Sequence, residues 1–137
     1  MSDEEAGPTH PVSLAETLLD AAAEYKEGTA VHDHEKVQLS AERMWLAVAQ
    51  AADQHLADQG QPVSEYIPQR LARLRVLGEG SLAGRVATAG ANLHALCFLN
   101  GECEGVDLDL EEACELVQDL TGERGYCDSV RRILRNE

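Results

Sequence analysis

Residues 34–59 read HEKVQLSAERMWLAVAQAADQHLADQ, and this stretch decides the fold class. Val37, Ala41, Met44, Trp45, Val48, Ala52 and Leu56 recur at intervals of three and four, the spacing that lines up one face of an α-helix. Gly60 stops the pattern and Pro62 follows it. Trp45 is the sole tryptophan and lies on this apolar stripe, so its expected role is core anchor.

The same pattern extends to both sides. Ser13 and Glu16 form a capping box that opens a helix with Leu14, Leu18, Ala21, Ala22 and Tyr25 on one face, ended by Gly28. A shorter helix is expected over Ser64–Leu77, with Ile67, Leu71, Leu74 and Leu77 inward and Pro68 in its first turn. Gly78 and Gly80 break the chain before Ser81, which caps a fourth helix over 82–99. That helix has a large apolar face, Leu82, Val86, Ala89, Leu93 and Leu96. Its small face, Gly84, Ala87, Ala91 and Ala95, admits close approach of another helix, within the chain or across a two-fold axis. After a loop at 100–108, Asp109 and Glu112 form a second capping box for a helix with Ala113, Cys114, Val117 and Leu120 inward, ended by Gly122. A last helix near Asp128–Arg135 buries Val130, Ile133 and Leu134. No alternating strand and no internal repeat appears. The expected architecture is an all-α, up-and-down bundle of four to six helices, one domain over 13–137, preceded by a disordered acidic segment, 1–12.

The composition narrows the function classes. The 137 residues carry 25 acids against 11 bases, a formal charge of -14, which repels free nucleic acid. With two lysines, Lys26 and Lys36, the bases are mostly arginine, a balance that fits either a high-salt cytosol or an ordinary acidic protein. Residues 101–123 hold nine acids and no base, whereas 66–100 hold Arg70, Arg73, Arg75 and Arg85 against Glu79 alone. Either the arginine-bearing helices lie beside the acidic ones, or Arg70 and Arg73 belong to a basic face that binds a partner. No segment has the roughly 20 unbroken apolar residues of a membrane helix. Met1–Pro8 lacks a signal peptide's positive start and apolar middle, so a cytoplasmic location is expected. In that compartment Cys97, Cys103, Cys114 and Cys127, none in a Cys-x-x-Cys pair, read as free thiols.

Two segments carry a family resemblance. Leu93-His94-x-x-x-Phe98-x-Asn100-Gly101-Glu102, followed by an acidic capped helix, resembles the archaeal PaREP family of small helical proteins. Ser40-Ala41-Glu42-Arg43-Met44-Trp45-x-Ala47-Val48-x-x-Ala51 is similar to that family's alanine-rich segment around a tryptophan. Cys97 and Leu99 depart from it, standing where its members are more polar or aromatic. The family in turn resembles the HEPN class of four- to five-helix bundles. That resemblance implies homodimers, pairing with nucleotidyltransferase partners and, in one branch, RNA cleavage. It marks His94, Phe98 and Asn100 as residues for binding a partner or ligand. It supplies no activity of the PaREP family itself.

The chemistry-bearing motifs are sparse. The ribonuclease branch uses an arginine followed after four to six residues by a histidine; here Arg85 and His94 are nine apart, on opposite faces of a helix. His32 and His34 alternate and cannot share a helical face. His94, Cys97 and Cys103 lack the tight knuckle of a structural zinc site, and read as a packed histidine, expected to pin the helix end to the 100–108 loop, and plain thiols. No phosphate loop, dinucleotide fingerprint or nucleophile elbow is present. We therefore expect no metal, no cofactor and no catalytic residue. The function expected is a non-enzymatic interaction module, a homodimer that binds a protein or ribonucleoprotein. The alternative is a nuclease or nucleotide-binding subunit completed by a nucleotidyltransferase-type partner.

Overall fold

The computed structural model describes residues 13–61 and 67–136 (for Ile67, the backbone alone), so the expectations for 1–12 and for a helix start at Ser64 lie outside the described residues. The described residues form six helices and no strand: α1 (Leu14–Ala30), α2 (His34–Asp58), α3 (Ile67–Val76), α4 (Gly80–Ala89), α5 (Val106–Thr121) and α6 (Tyr126–Arg135). α4 runs on without a break into a π-helical segment, Gly90–Leu99. The all-α bundle expected from the apolar spacing is the fold.

α2 is the hub. All seven stripe residues, from Val37 to Leu56, are buried, Trp45 at 4% exposure. α1, α4 with its π extension, and α5 pack round it, and α6 closes the side between α1 and α5. The α4–π rod lies antiparallel to α2, as a series of contacts along its length shows. His55 Nε2–H donates to Glu79 at 2.7 Å at one end. Trp45 then faces Gly90, and Glu42 accepts from His94. At the other end Gln38 Nε2–H donates to Phe98 O at 3.0 Å and His34 Nε2–H to Gly101 O at 2.9 Å.

Several helix ends differ from the sequence reading. The Ser13 cap forms, Glu16 N–H donating to Ser13 Oγ at 3.1 Å, while the Glu16 carboxylate accepts from the Ser13 hydroxyl at 3.2 Å. α1, however, continues through Gly28 to Ala30, and the chain turns at His32, whose φ is 57°. Gly28 is buried where α1 meets the start of α2; a Cβ there would lie 2.9 Å from Lys36 Cβ and 3.0 Å from Asp33 O. Its lack of a side chain serves a close crossing, not a stop. α4 starts at Gly80, one residue before the expected Ser81 cap. α5 starts at Val106, after left-handed Gly105, and Asp109 is no cap. It sits one turn inside α5, where its carboxylate accepts from Asn92 Nδ2 at 3.2 Å.

The fourth helix buries Val86 and Leu93 as expected, but its buried face is turned from the other three residues of the expected one. Ala83, Val86, Gly90, Leu93 and Cys97 are buried, whereas Leu82 and Ala89 are only partly so and Leu96 is exposed. The cause is Trp45. A Cβ on Gly90 would stand 3.1 Å from the tip of its ring, so bare backbone at 90 is what lets the ring close against the rod. Turning Gly90 inward moves the buried face off Leu82 and Leu96, while Leu93 stays within it.

The four free thiols expected from the sequence are two. Cys97 and Cys103 form a disulfide that ties the end of the π segment to the following loop. Cys114 on α5 and Cys127 on α6 are buried and free.

Gly28 and Gly84 should respond oppositely to the same substitution. Alanine is favoured over glycine inside a helix by about 0.5–1 kcal/mol. At Gly84 a Cβ meets nothing within 4 Å, so Gly84→Ala should raise stability by about that amount. At Gly28 the contacts with Asp33 and Lys36 outweigh the preference, and Gly28→Ala should lower stability by about 1–2 kcal/mol. Thermal melts of the two variants check the opposed signs.

Candidate functional site

The residues marked by the resemblance gather on the seam between α2 and the π segment. His94 Nδ1–H donates to Glu42 Oε1 at 2.8 Å, so the ring is held from α2 and not, as expected, by the 100–108 loop. Its ring lies 5.9 Å from that of Phe98, stacked, and 6.4 Å from that of Trp45. Asn100 is exposed and ends the π segment, its backbone N–H donating to Ala95 O at 3.2 Å across five residues. The loop beyond is pinned by other groups. His34 and Gln38 reach from α2 to the carbonyls at 101 and 97–98, and the disulfide closes the same corner. These bonds meet the need of a helix end for partners on its last carbonyls. The expectation that His94 pins this loop is therefore corrected: His34, Gln38 and the Cys97–Cys103 bond do so. Runs of π-helix are rare and concentrate at functional sites, and a ten-residue run is long.

The arginines expected as an alternative binding face are engaged within the fold. Arg70 is buried and grips Asp53 of α2 with two nitrogens, at 2.8 and 3.1 Å. Arg73, half-buried one turn on, is also engaged. Arg85 reaches Asp119 of α5 at 2.8 Å, Arg43 reaches Glu24 of α1 at 2.6 Å, and Arg131 and Arg135 of α6 hold Glu111 and Glu115 of α5. The arginine-bearing helices thus lie beside the acidic ones. The pairs also keep Arg85 and His94 on different neighbours, α5 and α2, so the chain does not bring them together.

Among the described residues the small face of the fourth helix is only partly covered, and a Cβ on Gly84 would meet nothing within 4 Å. Gly84 and Ala91 are exposed, Ala87 and Ala95 half-buried. Leu99, one step further along the same ridge, is 61% exposed.

Sequence reading missed a cleft. Between α4 and α5 lies a cavity of about 330 Å³. Gly84, Ala89, Ala113 and Leu116 line its apolar part. Ser81, Thr88 and Asn92 of the α4–π rod and Asp109 and Glu112 of α5 line the rest, with Arg85 beside them. Burial pushes the Asp109 carboxyl above the usual carboxylate range. The hydrogen bond from Asn92 opposes that rise, and the charges of Glu112 and Asp107 add to it. The one signal in the sequence is the pair of acids three apart on α5, which reads equally well as a helix cap.

Elsewhere the titratable groups serve the fold. Cys114 and Cys127 face each other across α5 and α6, and the hydrogen bond between them, then burial, push the Cys114 thiol far up. The same bond pulls Cys127 down. Among the described residues no group of three or more His, Cys, Asp or Glu side chains could hold a metal, and no helix is long and apolar enough to cross a membrane. Comparison with protein-family models, with curated proteins and with solved structures gives no match to the chain.

Asp109 carries a testable cost. A carboxyl whose pKa is raised in the fold gives stability at low pH that is lost as pH climbs from the unfolded value through the folded one. Asp109→Asn keeps an oxygen for Asn92 and removes the charge, so the variant should melt higher than the parent at pH 7, and the gap should close near pH 3. A lower melting temperature at pH 7 would show that the charge stabilises the fold.

Proposed function

We propose that the protein is a non-enzymatic interaction module. It works as a homodimer and binds a protein or ribonucleoprotein partner from the cytoplasm, as a HEPN-like bundle related to the PaREP proteins. One observation carries the reading: along the ridge Gly84, Ala87, Ala91, Ala95 and Leu99, Gly84, Ala91 and Leu99 are exposed and Ala87 and Ala95 half-buried, and a Cβ on Gly84 would meet nothing within 4 Å. A ridge of small residues admits a second helix at short range, and a two-fold axis would set it against its own copy. Exposed leucines on α2 widen the apolar area, Leu39 at 41% and Leu46 at 55%, standing on the turns either side of Glu42. Apolar groups gathered on one side of a highly charged protein are a recognised mark of an interaction surface.

The charge argues for a protein partner. A surface of net charge -14 does not attract bare nucleic acid, so RNA would arrive with a basic protein. The basic side chains Arg70, Arg85, Arg131 and Arg135 are committed to carboxylates of this chain. The Cys97–Cys103 bond departs from the reducing setting that a cytoplasmic location supplies, whereas Cys114 and Cys127 fit it.

The dimer is the testable core of this reading. Light scattering on the purified protein should give the mass of two chains. Ala91 is exposed in the single chain, so Ala91→Arg should leave the helical signal and the fold intact while placing two like charges across the axis. A shift to the mass of one chain is expected. A monomeric parent, or a dimer that Ala91→Arg leaves unchanged, would refute the ridge as the interface.

A further inference from the structure

We propose that the cleft between α4 and α5 binds a primary alkylammonium group, carried by a free aliphatic amine or by a lysine side chain of a protein. Its volume, about 330 Å³, is within the range of small-ligand sites, and its lining divides by chemistry. Ala89, Ala113 and Leu116 offer an apolar wall to a chain of methylenes. Asp109 and Glu112, three apart on one face of α5, offer carboxylates to a cation.

The charge balance of the cleft decides the sign of the ligand. Arg85 is its basic lining residue, and the Asp119 carboxylate takes that charge at 2.8 Å. Among the described residues Asp109 is bonded to the neutral amide of Asn92, and Glu112 stands exposed on the next turn. A bound anion would meet two carboxylates with no spare cation. A bare divalent ion would want six or more oxygens and would leave the apolar wall unused. An ammonium on a methylene stem uses both halves, since its three N–H groups can be shared among carboxylates and the hydroxyls of Ser81 or Thr88. The burial of Asp109 fits as well. A carboxylate held in a costly place without a cation gains most when one arrives.

The proposal does not rest on the dimer, and it is tested on the full-length protein in whatever assembly it adopts. Calorimetric titration at about 0.15 M salt would use n-pentylamine, 1,5-diaminopentane, Nα-acetyl-lysine methylamide and, as neutral match, n-pentanol. At least one amine should saturate at one site per chain while n-pentanol gives no comparable binding. Asp109→Asn and Glu112→Gln should each weaken the amine about tenfold, whereas Glu104→Gln, which removes the same charge from an exposed loop outside the cleft, should leave it unchanged. Tighter binding of the lysine derivative than of the free amines would assign the group to a protein partner, and the reverse order to a metabolite amine; both uphold the site. Absence of saturable binding, or equal weakening by all three acidic substitutions, would overturn it, the second outcome marking the general attraction of an acidic surface.

Discussion

The contact between Trp45 and the bare backbone at Gly90 is the constraint on which the rest of the architecture depends. A tryptophan buries roughly 150–250 Å², worth about 4–6 kcal/mol at about 25 cal/mol per Å². Trp45 is the sole tryptophan of a protein with 4% aromatic content. To realise that burial, the rod must present a residue without a Cβ, and Gly90 is that residue. Placing 90 inward fixes the rotation of the rod, and with it which groups meet along α2. Glu42 then falls against His94, and Gln38 and His34 against the carbonyls at its end. The same rotation turns Leu96 and Leu99 outward and leaves Gly84 and Ala91 exposed. Which apolar groups of the rod stay exposed is thus a consequence of how the core is satisfied.

The ion pairs orient more than they stabilise. Pairs with exposed members, such as Arg85–Asp119 and Arg135–Glu111, are worth about 0–1 kcal/mol each in water. Their effect is to choose neighbours. A chain with nine acids in 101–123 would repel itself if α5 lay beside another acidic face. Arg131 and Arg135 instead draw α6 onto α5, and Arg85 draws α4 to its other flank. Asp119 feels this directly. Its hydrogen bonds from Arg85 and then Arg124 hold its carboxyl below the usual range. Arg70 differs in being buried, and its two-point grip on Asp53 fixes where α3 leaves α2.

How much of this is legible in the sequence follows from what each signal depends on. The α2 stripe is readable because seven apolar residues keep helical register over more than five turns, and tertiary context has little room to override it. The Ser13 cap is readable because its partners are three residues away. The false stops and starts share one cause: a local signal with two physical explanations. A glycine near a helix end fits a C-cap or a close crossing, and Gly28 serves the crossing. An aspartate three residues before a glutamate fits a capping box or a lining carboxylate, and Asp109 is the second. Which explanation applies is set by an element far away in sequence, α2 for Gly28 and the π segment for Asp109. The disulfide is hidden for the same reason. A six-residue separation becomes bondable only because the chain turns sharply after Leu99.

His94 and the cleft show how the two kinds of site differ in visibility. His94 stands out in the sequence as one histidine among small and apolar neighbours, and the structure gives it three partners from two elements. Its Nδ1 bond to Glu42 joins the rod to α2. The cleft is built from residues that are ordinary one by one: alanines, a threonine, an asparagine and acids. It exists because Gly84 and Ala89 are too small to fill the space between α4 and α5, while Leu116 holds the helices apart. Space that a larger side chain would have closed, lined by a carboxylate whose charge is unfavourable where it stands, is an arrangement that packing alone does not require. In this fold the satisfied polar groups mark the architecture, and the costly one marks the place to look for a ligand.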